Sequence, residues 1–467
     1  MPANKISGKV PKSSRARKTT HYVKKKQPAK ARWLWIWLGL TGVAMLSATA
    51  GAILAVSINA TPLLQAELTP EEEAIFGKGG SISRKNLRLP ELTRPVNILL
   101  LGTKVLTSDL DEPPEEDLGY HALVNSFDGL SDTMLLLRFD PKEKNLTLLS
   151  IPRDTRAYIE DHGTTKINEA NYHGGPALAA KSISELVGGV EIDRYIRVNV
   201  QGVEKLIDAL GGVTVYVPKD MEYKDDSQHL YINLKKGKQH LDGTEAMQFL
   251  RFRYDQYGDI GRVQRQQTLM RAVVEQSLNP GVIVRVPKII EVIKSHIDTN
   301  LSVEELVALT GFASQIDRSN VQMMMLPGEF NGTGRTEVSY WLPHKKAIRD
   351  LTAQYFGREK DKDEEEPEKE NTTDPANITV AIQDSTGSSR AVERLVEELQ
   401  ELGYRDVYVA QEWPEPLKET RIVAQNGDSS GAAVVKADLD LGEVRVESTG
   451  SLRSDVTIQL GKDWLKK

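Results

Sequence analysis

Short unbroken apolar runs alternate with longer runs of helical spacing along most of this chain, and that alternation predicts a layered α/β fold. Residues 97–102 (NILLLG) have the continuous apolar character of a strand buried on both faces. Residues 133–139 and 146–151 repeat it on either side of a polar turn at 140–145, the pattern of a hairpin. Helical spacing takes over at 176–187, through Leu178, Ile183, Leu186 and Val187, and at 203–210, which the Gly211, Gly212 pair ends. Residues 192–200 and 213–217 read as strands. Leu250, Phe252 and Tyr254 alternate with Arg251, Arg253 and Asp255, so this stretch also reads as a strand. Residues 266–278, 288–296 and 303–315 read as helices, and this domain ends near Phe356.

The pattern stops at 358–370, where eight acidic and four basic residues surround one proline, and this is a linker. It restarts with a strand at 378–383 and a helix at 390–402, whose Val392, Leu395, Val396 and Leu399 share one face. Strands at 406–409, 421–424, 444–447 and 456–460, with a helix from Ala432, complete a second α/β domain of about ninety residues, large enough to fold alone. It shows no polar constellation of its own and is expected to be an accessory domain.

The N-terminal 95 residues follow neither pattern. Residues 1–32 hold eleven Lys and Arg and no acid, which predicts an unpacked basic arm. Residues 33–58 carry no charge over 26 positions, enough for a spanning helix of about 39 Å. With Trp33, Trp35 and Trp37 at its basic end, this reads as a single transmembrane helix whose arm is cytoplasmic, so everything beyond lies across the membrane. Residues 59–95 are expected to be a stalk, 96–356 the larger α/β domain, 357–376 the linker and 377–467 the accessory domain. A polar, acidic insertion at 104–129 looks like a long surface loop.

Across 467 residues the net charge is −6, which argues against nucleic acid as a partner of the whole molecule. The absence of cysteine excludes disulfides, zinc ribbons and a thiol nucleophile. The eight histidines have no metal-ligand spacing.

Candidate chemistry centres on residues 250–267 (LRFRYDQYGDIGRVQRQQ), which place four arginines within eighteen positions. Such a cluster repels itself unless a polyanion or carboxylates sit among it, so it is either a phosphate site or a surface salt-bridged to Asp255 and Asp259. Arg153 and Asp154 close an apolar strand at Pro152, where ligands usually sit in α/β sheets or where a turn is simply capped. Asp132 either ligates a hard cation or caps a turn. Asn168, in the polar turn KINEANYHGG, contacts substrate or fixes the loop backbone.

Taken in order, NILLLG, LSDTMLLLRFDP, LSIPRDT, KINEANYHGG, DALGGV and LRFRY followed by DIGRVQRQQ resemble the LytR-CpsA-Psr family of bacterial envelope proteins. The likeness runs from 95 to 280 and more loosely to 356, and the C-terminal residues, including SDVTIQLGKD, resemble the small domain that follows in part of that family. The resemblance implies an α/β layered sandwich with a mixed central sheet. It also implies a membrane-anchored phosphotransferase that moves a glycopolymer from a polyprenyl-diphosphate carrier to peptidoglycan or another envelope acceptor. By motif position Arg153, Arg251, Arg253, Arg262 and Arg265 would grip the diphosphate, Asp132 would hold Mg²⁺, and Asp259 would orient the arginines or assist the metal. Asn168, Gln266 and Lys104 complete the substrate-binding candidates.

Two positions depart from the family pattern: Lys104 stands where a second metal-binding Asp is usual, and Leu130 where an Arg is usual. Asp109, Asp111, Glu115, Glu116, Asp117 or Asp128 of the insertion would replace the missing carboxylate, or Lys104 would itself neutralise phosphate. The same departures leave open a non-catalytic binder of polyprenyl diphosphate, or a hydrolase of it.

Overall fold

The structure is a computed structural model that describes residues 63, 65–77, 81–84, 90–106, 123–124, 126–226, 230–252, 258–313, 315–316, 320–331, 339–358, 374–425, 429–447, 449–451 and 453–467. Residues 1–57 form a separate unit. The basic arm and the apolar stretch at 33–58 lie outside the described residues, as do residues 359–373 of the 357–376 linker. Among the described residues no helix is long and apolar enough to cross a membrane.

The apolar runs become one mixed sheet. β1 (Val96–Leu106), β2 (Leu130–Asp140), β3 (Asn145–Ile151), β4 (Arg194–Asn199), β5 (Ile297–Thr299) and β6 (Val321–Met325) lie in the order β5-β4-β1-β2-β3-β6. β1 is parallel to β4 and antiparallel to β2, while β3 is antiparallel to β2 and parallel to β6. Strand alternation divides the side chains between two cores. Leu99, Leu101, Met134, Leu136 and Leu149 enter one, and Ile98, Leu135, Leu137 and Leu148 enter the other. Each such side chain contributes about 1.5–3 kcal/mol by leaving water, so register is strongly specified.

The helices are α1 (Ala170–Leu186), α2 (Val200–Leu210), α3 (Gly243–Arg251), α4 (Gly258–Ser277), α5 (Val286–His296), α6 (Val303–Ala313) and α7 (Lys345–Tyr355). α1 and α7 cover the first core through Ala177, Ala180, Ile183, Ile348 and Leu351. α5 and α6 cover the second through Ile289, Ile293, Leu306 and Leu309. The chain is thus a three-layer α/β sandwich. α1 is broken where Gly175, at φ +61°, adopts a left-handed conformation that side-chain-bearing residues avoid, and Pro176 restarts the helix.

Three expectations change. The described part of the stretch read as a stalk packs on the domain: Phe76 is 3% exposed against Tyr195, and Ile82 is fully buried. The Ala66 amide donates to Asp298 Oδ1 at 2.7 Å. The insertion begins later than expected, because β1 continues to Leu106 and Leu123–Val124 pairs back onto it. Residues 250–252 are not a strand. Leu250 and Arg251 end α3, whose Asp242 and Glu245 form a reciprocal capping box, and Phe252 leaves in an extended conformation. The apparent alternation is the apolar face of a short amphipathic helix seen over too few residues.

The C-terminal domain is a second sheet, β7 (Thr379–Asp384), β8 (Asp406–Val409), β9 (Arg421–Ala424), β10 (Glu443–Val446) and β11 (Val456–Leu460), in the order β8-β7-β11-β9-β10. Ser389–Glu401 and Ser429–Leu439 are its helices, and Leu395, Leu399, Val435 and Trp464 are buried against it.

Candidate active site

The strand registers bring the C-terminal ends of β1, β3, β4 and β6 together with the first residues of β2, at one end of the central sheet. Hydrogen bonding along the strands stops there, so polar side chains can face a ligand. β1 and β2 shift register between Gly102 and Thr103, a bulge that re-aims the residues beyond it.

Asp132 and Arg153 meet at this end. Arg153 Nη1 donates to Asp132 Oδ1 at 2.9 Å, with the two side chains 31% and 33% exposed. Pro152 ends the β3 ladder, and the following turn is closed by the Thr155 amide and hydroxyl, both donating to Pro152 O. Asp154 lies beside Arg153 at 3.5 Å and accepts from Lys166 Nζ at 2.6 Å. The Asn168 amide donates to Arg153 O at 3.3 Å, locking the Arg153 turn to the start of α1. Cations and carboxylates therefore alternate along one ridge.

Three buried polar atoms beside the ridge have no hydrogen-bond partner among the described residues: Thr103 Oγ1, Ser131 Oγ and Asn168 Oδ1. Each such atom costs about 1–3 kcal/mol if left dry, which is characteristic of a site that completes its bonding with a ligand or water.

Behind the ridge, Arg197 is 5% exposed and paired to buried Asp298. Its Nη1 also lies 3.4 Å from Asn171 Oδ1 and 3.5 Å from exposed Asp128. Asn171 in turn donates to the carbonyls of Phe127 and Gly129, which fixes the segment leading into β2. Burial, and then Asp298, push the Tyr195 phenol up from its ordinary value, so it stays neutral.

Arg153, Asp132 and the Asn168 backbone are thus brought together. Arg251 is half-buried at the end of α3. Arg265 is 6% exposed, with its guanidinium over the Phe252 ring and Nη2 donating to Phe252 O at 2.5 Å. It braces the turn after α3. Gln266 is half-buried on α4. Arg253 lies outside the described residues, as do Asp109, Asp111, Glu115, Glu116 and Asp117 and the side chains of Lys104, Asp259 and Arg262. Lys166, Asn171, Arg197 and Asp298 belong to the constellation and were not singled out by sequence. The first two sit inside KINEANYHGG, and Arg197 is signalled only as a charge within an apolar strand.

Among the described residues no three carboxylate or imidazole groups converge as a metal cage. The second oxygen of Asp132 has no partner among them, and Mg²⁺ is commonly held by one carboxylate together with substrate phosphates and water. The donor set fits an ion bound jointly with a phosphorylated substrate.

A mixed three-layer sandwich with a guanidinium–carboxylate ridge at its strand ends defines the class, and the LytR_cpsA_psr family model matches residues 68–357. The chain belongs to that family. A second model, described as LytR cell envelope-related transcriptional attenuator, matches residues 377–464.

Similar curated proteins include the polyisoprenyl-teichoic acid–peptidoglycan teichoic acid transferase TagV of Bacillus subtilis, 32% identical over 46% of this chain and 56% of TagV. The like-named TagU of Bacillus cereus is 31% identical over 56% of this chain and 77% of TagU. Regulatory protein MsrR of Staphylococcus aureus is 35% identical over 37% of this chain and 51% of MsrR. The chain thus spans little more than half the length of TagV and MsrR. Similar solved structures include B. subtilis TagV at 26% identity, covering 57% of this chain and 99% of that one with a TM-score of 0.46.

Proposed function

We propose that this protein is a membrane-anchored phosphotransferase that moves a glycopolymer from a polyprenyl-diphosphate carrier to a hydroxyl of peptidoglycan or another envelope acceptor. The observation that carries the reading is the open Asp132–Arg153 pair at the strand ends of a chain belonging to this family. The names of TagV and TagU support the reaction class.

In this reading the donor diphosphate lies across the ridge, with Arg153, Lys166 and the arginines Arg251, Arg253 and Arg262 as its cationic contacts. Phosphoryl transfer needs positioning and charge neutralisation more than covalent participation, so Arg153, held by Asp132 before substrate arrives, supplies what the reaction asks. The acceptor oxygen bonds to the glycan-side phosphorus while that phosphorus loses its bond to the bridging oxygen. Polyprenyl phosphate leaves, and the acceptor hydroxyl loses its proton. Asp132 holds Arg153 in place and would hold Mg²⁺, which when bound would neutralise diphosphate charge. Arg265 positions the turn carrying its neighbours. The apolar stretch at 33–58 serves as the anchor, with the folded domains outside the cytoplasmic membrane.

The test is transfer of labelled glycan from a polyprenyl-diphosphate donor by the full chain in detergent. Arg153→Ala should lower the rate by roughly 100- to 1,000-fold, the usual cost of one transition-state charge contact. An unchanged rate refutes the assignment. Donor binding without turnover in the unaltered protein would favour the regulatory reading that the name of MsrR suggests.

A further inference from the structure

The two domains meet edge to edge. Met323 of β6 forms a parallel bridge with Glu447, just after β10, so the outer strand of each sheet shields the other. Beside this seam a cleft of about 1570 Å³ opens, walled by α4 on one side and by β9, β10 and the loop holding Trp413 on the other. It exceeds the roughly 300–1,000 Å³ of a small-molecule pocket.

Four arginines line it, Arg265 at the end toward the candidate active site and Arg271, Arg421 and Arg445 around the seam. Arg271 pairs with Glu447 at 3.0 Å and Glu275 at 3.2 Å, and Arg445 pairs with Glu443 at 2.8 Å and Glu447 at 3.5 Å. Those carboxylates are thereby committed. Asp384, also in the wall, is committed to the Thr386 amide and hydroxyl and the Gly387 amide. Arg421 has no carboxylate within ion-pair distance among the described residues, and its Nη1 is buried without a hydrogen-bond partner. Burial, then Arg271 and Arg445, lower its pKa, and Glu447 and Glu415 offset this only in part. Trp413 Nε1 is a second buried donor without a partner among the described residues. Glu412 and Glu415 also line the cleft, yet neither of these two buried donors has a hydrogen-bond partner among the described residues, and an anionic group would satisfy both.

We propose that this cleft binds a stretch of anionic glycan, with Arg421 and Trp413 donating to its phosphate or carboxylate groups and the neutral Gln322 facing its hydroxyls. The volume suits several sugar units, and the indole adds a flat face for a pyranose ring. The same helix that walls the cleft carries Arg262 and Arg265, so a chain seated there leads toward the candidate active site. The assignment of a glycan rather than another polyanion rests on the proposed transferase reading.

The test is equilibrium binding to the full chain in neutral detergent of three fluorescent, carrier-free probes: a poly(glycerol phosphate) oligomer, a soluble peptidoglycan strand bearing carboxylate stems, and dextran. At least one anionic probe should bind, with dextran failing to, and which one binds identifies the donor polymer or the wall as source. Arg421→Gln should weaken that binding about tenfold or more, as loss of a charge-assisted bond implies. Trp413→Phe, which keeps a ring and drops the donor, should weaken it less and guards against misfolding of the first variant. Equal binding of dextran, no binding of either anionic glycan, or unchanged binding in both variants would overturn the proposal. None of the probes carries diphosphate, so binding that persists in Arg153→Ala separates the cleft from the transfer site. Glycan binding without any transfer would refute the transferase reading and leave the cleft standing.

Discussion

The two ends of the central sheet use the same residue types in opposite ways. At the end where β1 and β4 begin, Arg194 and Glu305 are 10% and 4% exposed, and every oxygen of Glu305 is engaged. Glu305 also accepts from the Ile82 and Ser302 amides, tying in the segment that precedes the sheet. Nearby, Asp193 accepts from the Asn97 amide at 2.7 Å, and Arg138 donates to Asn97 Oδ1 and Phe356 O. At the other end Arg153 and Asp132 are about a third exposed and border three unpartnered polar atoms. A closed pair serves the fold, because breaking it strands a buried charge. An open pair contributes little stability and keeps its charge available to a ligand.

The sharpest way to break this comparison is Glu305→Ala. It should destabilise the protein by about 3–5 kcal/mol, measured by chemical denaturation, because Arg194 is left charged and unpaired. Next in size is Arg153→Ala, for which the lost rate corresponds to roughly 3–4 kcal/mol of transition-state stabilisation, while the unfolding midpoint should barely move. If Arg153→Ala unfolded the protein and Glu305→Ala did not, the two ends would have been assigned the wrong way round.

A pH titration sharpens the contrast. Burial raises the Glu305 pKa, but Arg194 and the Ser302 and Ile82 amides outweigh it, leaving the carboxyl below its ordinary value of 4.5. A depressed folded pKa contributes stability that is present above the unfolded value and is lost as pH falls through the folded one. Stability should therefore decline below about pH 4.5, more steeply in the unaltered protein than in Glu305→Gln. The smallest effect is expected of Lys166→Gln, whose partly exposed pair with Asp154 should cost no more than about 1 kcal/mol by thermal unfolding.

Much of the sheet was legible because strands buried on both faces are written as apolar runs, and NILLLG, TMLLLRF and LTLLSI became β1, β2 and β3. Residues 250–252 misled because so short an alternation fits a helix end equally well. The decisive signal was upstream, in the Asp242 to Glu245 spacing of a capping box. Of the site, Arg153 and Asp132 were legible as charges at strand ends. Arg197 and Asp298 were not, since their pairing joins residues 101 apart and no local spacing encodes it. Likewise Arg421 looked like an ordinary strand-end arginine in a domain without chemistry. Its significance appears only where Arg271 of the other domain approaches it.

The central claim is that glycan-side phosphorus is handed to an envelope hydroxyl. A polyprenyl-diphosphate glycan labelled with ³²P at the glycan-side phosphate, given to the full chain with peptidoglycan, tests it directly. The account predicts label bound to the wall through a phosphodiester, with unlabelled polyprenyl phosphate released and the yield collapsing in Arg153→Ala. Label that stays on the lipid, or that leaves as free glycan phosphate in water without reaching the wall, would contradict it.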